Sequence, residues 1–498
     1  MEIKNMSFTS PALSAFFSAL ICYVLIYGFE LTHFTLSIDE EFNNNIMHTI
    51  SMGRWGHALL KYTILPEPFI PFFTSVLSMS IMSASSSFLA KTMRLSVKDA
   101  VFFSILYSSF SQFSYQLQFL NQADTYAISV LLCSIASYML LRTEGIIYSF
   151  ILPTVMLAMA ISIYQSIIFL PYSIVLACLL KDIFFEDSNY NKTRIIIKLV
   201  ITSVAALITY SVITRVVQNH FNVHSDSYFT NMIGWLNLPF KESFIQTFSF
   251  ITNYLTFHAP VGITIYPLSL LVFLIVFPTT LKKKSQLILF SILLLLSPFI
   301  MNILIGGVLP ARAMTSMAIV FASSLSLLFM VKNRHNVLWC IPLISLIYGI
   351  ASSSSLFYAD YQSYQKDYRL SSAIAEDIRN ELGINLEKPT RVYFYGALEV
   401  NQEMKPLNSD MFGSSFLNWD GGNSARISAF FNVSGIGKIV PTAYQYVSAN
   451  ASRIESAPTW PNKGSIFFLN DVVFVKLGNK PGNCINGIYK NIDPTRCL

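Results

Sequence analysis

The stretch PALSAFFSALICYVLIYGF, residues 11–29, contains no charged side chain. A helix needs about 20 mostly apolar residues to cross the hydrocarbon core of a bilayer. The stretch is long and lacks a small-residue cleavage site, so we interpret it as a retained spanning helix and not as a signal peptide. Further runs of the same kind follow at 69–90, 99–115, 125–141, 146–162, 164–180, 195–217, 259–279, 286–305, 313–331 and 336–355.

The composition of the chain favours a polytopic α-helical membrane protein with about eleven transmembrane helices. Of its 498 residues, 53% are hydrophobic and only 12% are charged, whereas soluble globular proteins carry about 25% charged residues. This composition excludes a disordered chain, a nucleic-acid-binding arm and an ordinary cytosolic enzyme. Run 99–115 is rich in serine, so we expect it to pack against protein and not against lipid.

Lys and Arg are distributed unevenly among the segments that connect the runs. With the N-terminus inside, the inner segments hold fourteen of them and the outer loops five. Because positive charge accumulates on the cytoplasmic side, this asymmetry fixes the orientation, and the basic segments 282–284 and 332–335 mark the last two inner turns. An odd number of spans then separates a transmembrane domain, 1–355, from an outer C-terminal domain, 356–498.

The outer C-terminal domain has the pattern of a small mixed α/β fold. Residues 362–382 predict a surface helix. The stretches 391–398 and 465–477 predict strands, the second folded into a hairpin at Asn470-Asp471. Two tryptophans in this domain, Trp419 beside Asp420 and Trp460, fit either a core role or contact with a glycan.

The cysteines and histidines indicate no metal site. Cys484 and Cys497 of the polar tail either pair as a disulfide or remain free thiols. Among the outer histidines, only His220 and His224 have tight ligand spacing, in a stretch that is not clearly helical, so we expect no bound metal. The remaining cysteines lie in apolar runs, where we expect small buried side chains: Cys22, Cys133, Cys178 and Cys340.

Three adjacent carboxylates, Asp39, Glu40 and Glu41, follow the first span directly. They are either a solvated charge run in a loop or a working group at the membrane surface, where ionisable residues often mark functional sites. A general base for a sugar hydroxyl needs a carboxylate held within hydrogen-bond reach. Only one of the three can point at a given substrate atom, and we favour Asp39, then Glu40, with Glu41 contacting the sugar.

A second motif, GRWGH at 53–57, follows in the same outer loop. If residues 41–62 form a helix along the membrane, Trp55 would anchor it at the headgroups. The guanidinium of Arg54 suits phosphate, either that of a substrate or that of lipid headgroups. His57 and Lys61 lie on a similar face, where His57 could contact a sugar and Lys61 a phosphate.

Polar side chains also crowd the second outer loop, beside Tyr115 and Tyr126. Amides and a carboxylate next to aromatic rings suit sugar hydroxyls and ring faces, although a polar loop cap would carry the same residues. Arg312, between two later spans, is either a phosphate clamp or a lipid contact. The polar residues of the loop are Gln116, Gln118, Asn121, Gln122 and Asp124.

These features resemble one known family. A first span, SIDEEF at 37–42, GRWGH at 53–57, about eleven spans and an outer C-terminal domain resemble the O-antigen serotype-converting glucosyltransferases (glucosyltransferase II type) of bacteria and their temperate phages. These enzymes look like the C-superfamily (GT-C) of membrane glycosyltransferases. The resemblance implies a GT-C-like fold with a catalytic first periplasmic loop, 30–68. It also implies the bacterial inner membrane, with a cytoplasmic N-terminus and a periplasmic C-terminal domain.

The resemblance also implies the reaction and its partners. Glucose on undecaprenyl phosphate would be transferred to a sugar of the lipid-linked O-antigen in a single inverting displacement. The base would be Asp39 or Glu40, while Arg54, with Lys61 and Arg312, would bind the donor phosphate. The enzyme would contact membrane lipids, depend on a donor synthase and a donor flippase, and use no nucleic acid and no cofactor. The sequence has no nucleotide-binding motif, which agrees with a lipid-linked donor.

Other membrane proteins share parts of this pattern. A transporter or flippase of lipid-linked sugars would want charges or broken helices at mid-membrane, and these spans are nearly free of charge. An O-antigen polymerase would rely on large loops between spans. A sensor or structural protein would use the C-terminal domain as a binding module.

Overall fold

The computed structural model describes residues 10–42, 45–67, 69–185, 191–226, 228–276, 284–401, 403–440, 442 and 449–480. These residues form two compact units. Unit 1 takes the described residues of Met1–Thr32 and Asn45–Ser355, and unit 2 takes those of His33–Asn44 and Leu356–Leu498. The whole SIDEEF segment, residues 37–42, therefore belongs to the unit built by the C-terminal residues, although its place in the sequence grouped it with the predicted transmembrane domain.

Two features used in the predictions from sequence lie outside the described residues. They are the two tail cysteines, Cys484 and Cys497, and the first two lysines of the basic segment 282–284. The possible disulfide and that part of the orientation argument remain predictions.

The described residues of unit 1 form helices joined by turns and short 3₁₀ segments. The helices are α1 Pro11–Tyr27, α2 Phe29–Thr32, α3 Ile46–Ser51, α4 Trp55–Thr63, α5 Pro71–Thr92, α6 Val97–Ser109, α7 Ser114–Leu117, α8 Leu120–Arg142, α9 Leu152–Ile163, α10 Leu170–Phe185, α11 Lys192–His220, α12 Tyr228–Asn231, α13 Gly234–Asn237, α14 Phe240–Leu255, α15 Leu268–Val276, α16 Lys284–Leu296, α17 Ile300–Ile305, α18 Met317–Val331 and the first part of α19, Cys340–Leu382.

Many of these helices are long and apolar enough to cross a membrane. Shorter apolar helices lie at Pro11–Tyr27, Ile147–Ile163 and Met317–Val331, so the fold is that of a polytopic membrane protein. The predicted runs 99–115 and 259–279 contain helices of only 13 and 9 residues, α6 and α15, and the count of eleven spans stays a prediction. Among the described residues the six long helical segments are Pro71–Thr92, Leu120–Arg142, Gln165–Phe185, Lys192–His220, Ser285–Ile305 and Asn336–Leu382.

The serine-rich run 99–115 packs against protein, as its composition predicted. Every residue from 106 to 115 is buried. A serine hydroxyl in an apolar interior needs a partner, and small hydroxyl residues allow helices to approach closely. Three hydroxyl pairs join this run to α19, each 2.7 or 2.8 Å between oxygens: Ser109–Ser345, Ser111–Ser352 and Ser114–Ser353.

The first outer segment does not form the single helix over residues 41–62 that was considered from the sequence. It forms α3 and α4, separated at residues 52–54. Gly53 has a φ of 76°, in the left-handed region that glycine adopts without steric cost. A Cβ at this position would lie 2.6 Å from the Tyr210 hydroxyl. The break places Arg54 at the N-cap of α4 and not inside a helix.

The polar stretch 115–126, predicted as a loop, is mostly helical. It contains the end of α7 and the start of α8. Polar residues are favourable in the first turn of a helix, because the backbone N–H groups there have no intrahelical partner. The polar residues of this stretch therefore accompany the start of a helix. Three of the predicted sugar-binding residues lie near the beginning of α8: Asn121, Gln122 and Asp124.

Helix α19 continues through the point at which the last span was predicted to end. The predicted surface helix 362–382 is its C-terminal part, with no interruption at 356–361. Its 43 residues give a length of roughly 65 Å. Gly383, with a φ of 68°, ends it as the sequence predicted. Cys340 lies at its start and is exposed, so the expectation that this thiol is buried was wrong.

Unit 2 contains a four-stranded sheet in the order β2-β1-β4-β3. Strand β1, Thr390–Tyr395, runs parallel to β2, Ile439–Val440, and to β4, Val472–Lys476. Strand β3, Ile466–Leu469, pairs antiparallel with β4. Helix α20, Ser424–Val433, packs against β1 through Phe431 and Phe394, whose ring centroids are 5.1 Å apart. A short helix α21, Ala451–Ser456, completes the described elements.

The hairpin predicted at Asn470-Asp471 is confirmed. Both residues have positive φ values, 52° and 64°, which a two-residue turn between right-twisted strands requires. Asn and Asp tolerate this backbone conformation better than other side chains. The described residues of the C-terminal region thus form the mixed α/β fold that the sequence indicated.

Candidate functional site

The acidic motif forms a tight turn in unit 2. The backbone N–H of Glu40 donates to the Ser37 carbonyl at 3.0 Å, and the Ser37 N–H donates to the Glu40 carboxylate at 2.9 Å. Glu40 is buried by this arrangement. Asp39, at the corner, has a φ of 82°, a strained conformation for a residue with a side chain. The turn directs Glu40 inward and leaves Asp39 with half of its side chain exposed to solvent.

Arg426, in the first turn of α20, binds this motif. Its Nη2 lies 3.1 Å from Asp39 Oδ1, and its Nη1 donates to Glu41 Oε1. Asp420 Oδ2 accepts from Nε and Nη2 of the same guanidinium at 3.2 and 3.1 Å. The guanidinium also lies over the Phe42 ring, 5.4 Å from its centroid. We call Asp39, Glu41, Asp420 and Arg426 the Arg426 cluster.

The members of the Arg426 cluster differ in solvent exposure. Glu41 is fully buried and Arg426 is 10% exposed, whereas Asp39 and Asp420 are 50% and 43% exposed. Glu41 Oε2 is buried without a hydrogen-bond partner. Asp39 is therefore the carboxylate of the acidic motif that is both exposed to solvent and held by a fixed cation.

The electrostatics of the Arg426 cluster keep Glu41 close to neutrality. Burial raises the pKa of Glu41 to about 8, the charge of Arg426 offsets only part of this, and Asp39 adds repulsion. Burial alone would lower the pKa of Arg426, but the three carboxylates outweigh it, so that pKa lies above its usual range. One guanidinium faces three carboxyl groups, and a proton on Glu41 relieves their mutual repulsion.

Aspartates of α19 anchor the segments that carry the Arg426 cluster. Asp360 accepts from the Ser37 hydroxyl at 2.7 Å and from the Gly413 N–H at 3.0 Å. About two turns further on, Asp367 accepts from the Ser415 hydroxyl and from the backbone N–H of residue 416, at 2.6 and 2.7 Å. These bonds tie the acidic turn and the loop before α20 to one rigid helix.

In unit 1, Arg54 is held at the N-cap of α4. Its Nε donates to Gln165 Oε1 at 3.3 Å, and Gln165 in turn donates to the Met52 carbonyl at 2.7 Å. The guanidinium lies 5.4 Å from the centre of the Tyr164 ring. The side chain is partly exposed, so a planar donor group remains accessible to an anion.

Arg312 and Gln116 lie near the same tyrosine. The Arg312 carbonyl accepts from Gln116 Nε2 at 3.1 Å, and the guanidinium lies over the Phe119 ring at 5.3 Å. The charges of Arg54 and Arg312 both act on the Tyr164 phenol. We call Arg54, Arg312, Gln116 and Tyr164 the Tyr164 cluster. The structure thus brings together three residues that the sequence placed in separate segments.

Lys61 and Asp124 bind each other. Lys61 Nζ lies 3.0 Å from Asp124 Oδ2, with the two side chains 1% and 0% exposed. Asp124 Oδ1 also accepts the Thr125 N–H at 2.7 Å. In this arrangement the charges predicted to meet a phosphate and a sugar neutralise one another and join α4 to α8.

His57 is neutral in this environment. Its Nδ1 lies 2.8 Å from the Thr125 hydroxyl, which itself donates to the Gln122 carbonyl at 2.9 Å. The Thr125 oxygen must therefore accept from Nδ1–H, which leaves Nε2 as the acceptor of the ring. Burial, together with the charges of Lys61 and Arg54, lowers the pKa of His57 to about 3.

The remaining predicted polar residues differ in accessibility. Gln116 and Gln118 are buried, whereas Asn121 and Gln122 are partly exposed at the start of α8. Gln116 Oε1 is buried without a hydrogen-bond partner, as is Oε1 of Gln112, one turn earlier. In the part of the chain that the structure describes, no group of His, Cys, Asp and Glu side chains could hold a metal ion.

Several residues of these clusters were not predicted from the sequence. They are Arg426, Gln112, Tyr164 and Gln165, and Asp420 was noted only because it follows Trp419. Glu41 and Arg426 are 385 positions apart, and no local pattern connects them. Trp460, for which the sequence allowed either a core role or a glycan contact, donates its indole N–H to Asp377 at 2.9 Å, which ties the loop before β3 to α19.

Comparison with known proteins identifies the family. No curated protein matches the chain significantly. A family described as "Glucosyl transferase GtrII" matches residues 28–357, more than half of the chain. The match includes the acidic motif and the Tyr164 cluster, and it ends before Asp420 and Arg426. The chain therefore belongs to the glucosyl transferase GtrII family.

Proposed function

We propose that this glycosyltransferase moves glucose from undecaprenyl-phosphate-glucose to a sugar of the lipid-linked O-antigen at the periplasmic face, with Asp39 as general base. Family membership supports the transfer of glucose. The observation that carries the choice of base is the Asp39 carboxylate, which is half exposed and bound at 3.1 Å by a buried guanidinium. Glu40 is turned inward by Ser37, and Glu41 is fully buried.

The proposed reaction is a single inverting displacement. The acceptor hydroxyl transfers its proton to the Asp39 carboxylate while its oxygen attacks the anomeric carbon of glucose. The bond between that carbon and the phosphate oxygen breaks, and the electron pair leaves with undecaprenyl phosphate. One base is sufficient for this chemistry, so no paired nucleophilic carboxylate is needed.

The cations of the Tyr164 cluster suit the phosphate of the donor. Arg54 offers a planar guanidinium whose orientation is fixed by Gln165, and a preorganised cation stabilises the charge that develops on a leaving phosphate. Arg312 adds a second positive charge near Tyr164. We assign no direct phosphate contact to Lys61 because Asp124 already neutralises it. Asn121 and Gln122, which are partly exposed, remain candidates for sugar hydroxyls.

The proposed base is tested by transfer of labelled glucose in proteoliposomes that contain the lipid-linked donor and acceptor. Asp39→Asn keeps the size of the side chain but removes the base, so kcat should fall by about 100- to 10,000-fold. Asp471→Asn, at an exposed aspartate of the same unit, is the matched control and should keep the wild-type kcat. Wild-type kcat in a folded Asp39→Asn protein would exclude Asp39 as the base.

The proposed location is the bacterial inner membrane, with a cytoplasmic N-terminus and unit 2 in the periplasm. The test is Asp471→Cys in a chain whose native cysteines are replaced by serine. A membrane-impermeant maleimide should label this cysteine in cells with a permeabilised outer membrane and an intact inner membrane. Labelling only after lysis would place unit 2, and Asp39 with it, on the cytoplasmic side.

A further inference from the structure

Arg426 has more carboxylate partners than a structural ion pair requires. With a proton on the buried Glu41, one aspartate would be enough to neutralise the guanidinium, but Asp39 and Asp420 both bind it. Each added carboxylate brings repulsion at short range, which is unfavourable for folding unless it is compensated elsewhere. As a purely structural arrangement, the cluster is therefore unfavourable for folding. What it does achieve is to fix Asp39, the exposed carboxylate of the acidic turn.

The backbone at two of these carboxylates lies in the left-handed region as well. Asp39 has a φ of 82° and Asp420 a φ of 53°. Aspartate tolerates this region better than most residues with a side chain, and residues held there concentrate at functional sites. Both aspartates bind the same guanidinium, so the two backbone turns and the ion pairs fix one geometry.

We propose that Arg426 is a positioning residue of the glycosyltransferase, which holds the Asp39 carboxylate in the orientation needed to accept a proton. This inference rests on the proposed function, in which Asp39 is the base. Nη1 binds the buried Glu41, Nε and Nη2 bind Asp420, and Nη2 is shared with Asp39 Oδ1. Because the buried Glu41 fixes the position of the planar guanidinium, the guanidinium in turn holds the exposed Asp39 carboxylate in one orientation.

The geometry requires arginine and not merely a positive charge. A lysine ammonium is a point charge on a flexible side chain, and it cannot donate hydrogen bonds to three carboxyl groups that lie around one plane. It would also lose the stacking of the guanidinium on Phe42. Arg426→Lys should therefore lower kcat by about 100-fold, because small misplacements of a catalytic group have effects of this size. The KM values for donor and acceptor should stay within about twofold, since binding is not the step that is impaired.

Removal of Arg426 alone would leave the buried Glu41 carboxyl without its hydrogen-bond donor, which destabilises the protein whatever the role of Arg426. The informative variant is therefore Arg426→Gln combined with Glu41→Gln, which replaces both buried partners with neutral side chains of similar length. Arg391→Lys is the matched control, because Arg391 forms an exposed ion pair with Asp471 in the same unit, at 2.8 Å. Thermal unfolding in detergent shows which variants are folded.

The first measurement is the kinetics of glucose transfer. The double variant should be folded with a kcat lowered by about 100-fold and nearly unchanged KM values, while the control keeps the wild-type kcat. A folded double variant with the wild-type kcat would overturn the proposal. Two other results would count against the proposed function itself. One is a fully active Asp39→Asn variant, and the other is a wild-type protein that transfers no glucose from the lipid-linked donor.

The second measurement does not depend on activity. A water-soluble carbodiimide with an amine nucleophile labels accessible carboxyl groups, and mass spectrometry reports the rate for each residue. Asp39 should be labelled several-fold faster in the folded double variant than in the wild-type protein, because the guanidinium no longer holds it, while exposed Asp471 keeps its rate. An unchanged rate for Asp39 would show that Arg426 does not hold this carboxylate, whatever the substrate of the enzyme.

Discussion

The Lys61 ammonium lies 3.0 Å from the Asp124 carboxylate, and both side chains are shielded from solvent in unit 1. The pair connects α4 with the second turn of α8. Removal of one partner leaves an uncompensated buried charge, which costs about 3–5 kcal/mol. Lys61→Met should therefore lower the free energy of unfolding by this amount, measured by denaturation in detergent. Lys61→Met combined with Asp124→Leu should recover most of it, and an equally unstable double variant would contradict this role.

The positions of the helices could be predicted because the signal for each of them is local. An apolar run reports burial in lipid or protein along its own length, and each of the eleven predicted runs contains a helix. The Asn470-Asp471 hairpin was predictable for the same reason. The continuation of α19 through residues 356–361 was not, because loss of apolar character looks the same whether a helix ends or continues into a polar environment.

The site was predictable only in part. Asp39 and Arg54 lie in short polar motifs beside apolar runs, where an ionisable group is unusual. The partners that define their geometry, Arg426 and Gln165, lie 387 and 111 positions away. Such contacts arise from tertiary packing, and no periodicity or spacing in one sequence encodes them. Lys61 was predicted to bind phosphate because sequence shows a charge but not the opposite charge packed against it.

Gly53 sets the break between α3 and α4, and with it the position of Arg54. Gly53→Ala should destabilise the protein by about 1–3 kcal/mol, because alanine is strained at a φ of 76°. Its Cβ would also meet the Tyr210 hydroxyl at 2.6 Å. Tyr210→Phe in the Gly53→Ala background should recover only the steric part of the loss. Full recovery in thermal unfolding would show that the backbone conformation costs nothing.

Arg54 should determine the affinity for the lipid-linked donor. Arg54→Ala removes charge-assisted hydrogen bonds to phosphate, and KM for the donor should rise roughly 10- to 100-fold. Arg54→Lys keeps the charge but not the planar fork and should be intermediate. Initial rates in proteoliposomes at varied donor concentration give these values. Arg215→Ala, at an exposed arginine of α11, is the control. If the donor KM rises equally in Arg54→Ala and Arg215→Ala, the effect comes from general surface charge and not from a phosphate contact of Arg54.

Glu41 should make the stability of the protein depend on pH in the neutral range. It faces Arg426 and Asp39, and burial raises its pKa from 4.5 to about 8. The folded state holds this proton more tightly than the unfolded state, so the associated stability is complete below about pH 4.5 and is lost as the pH rises through about 8. Glu41→Gln cannot ionise and should flatten the fall of the thermal midpoint between pH 5 and 9, whereas Asp471→Asn should keep the wild-type slope. A wild-type slope in Glu41→Gln would mean that Glu41 is ionised in the folded protein across this range.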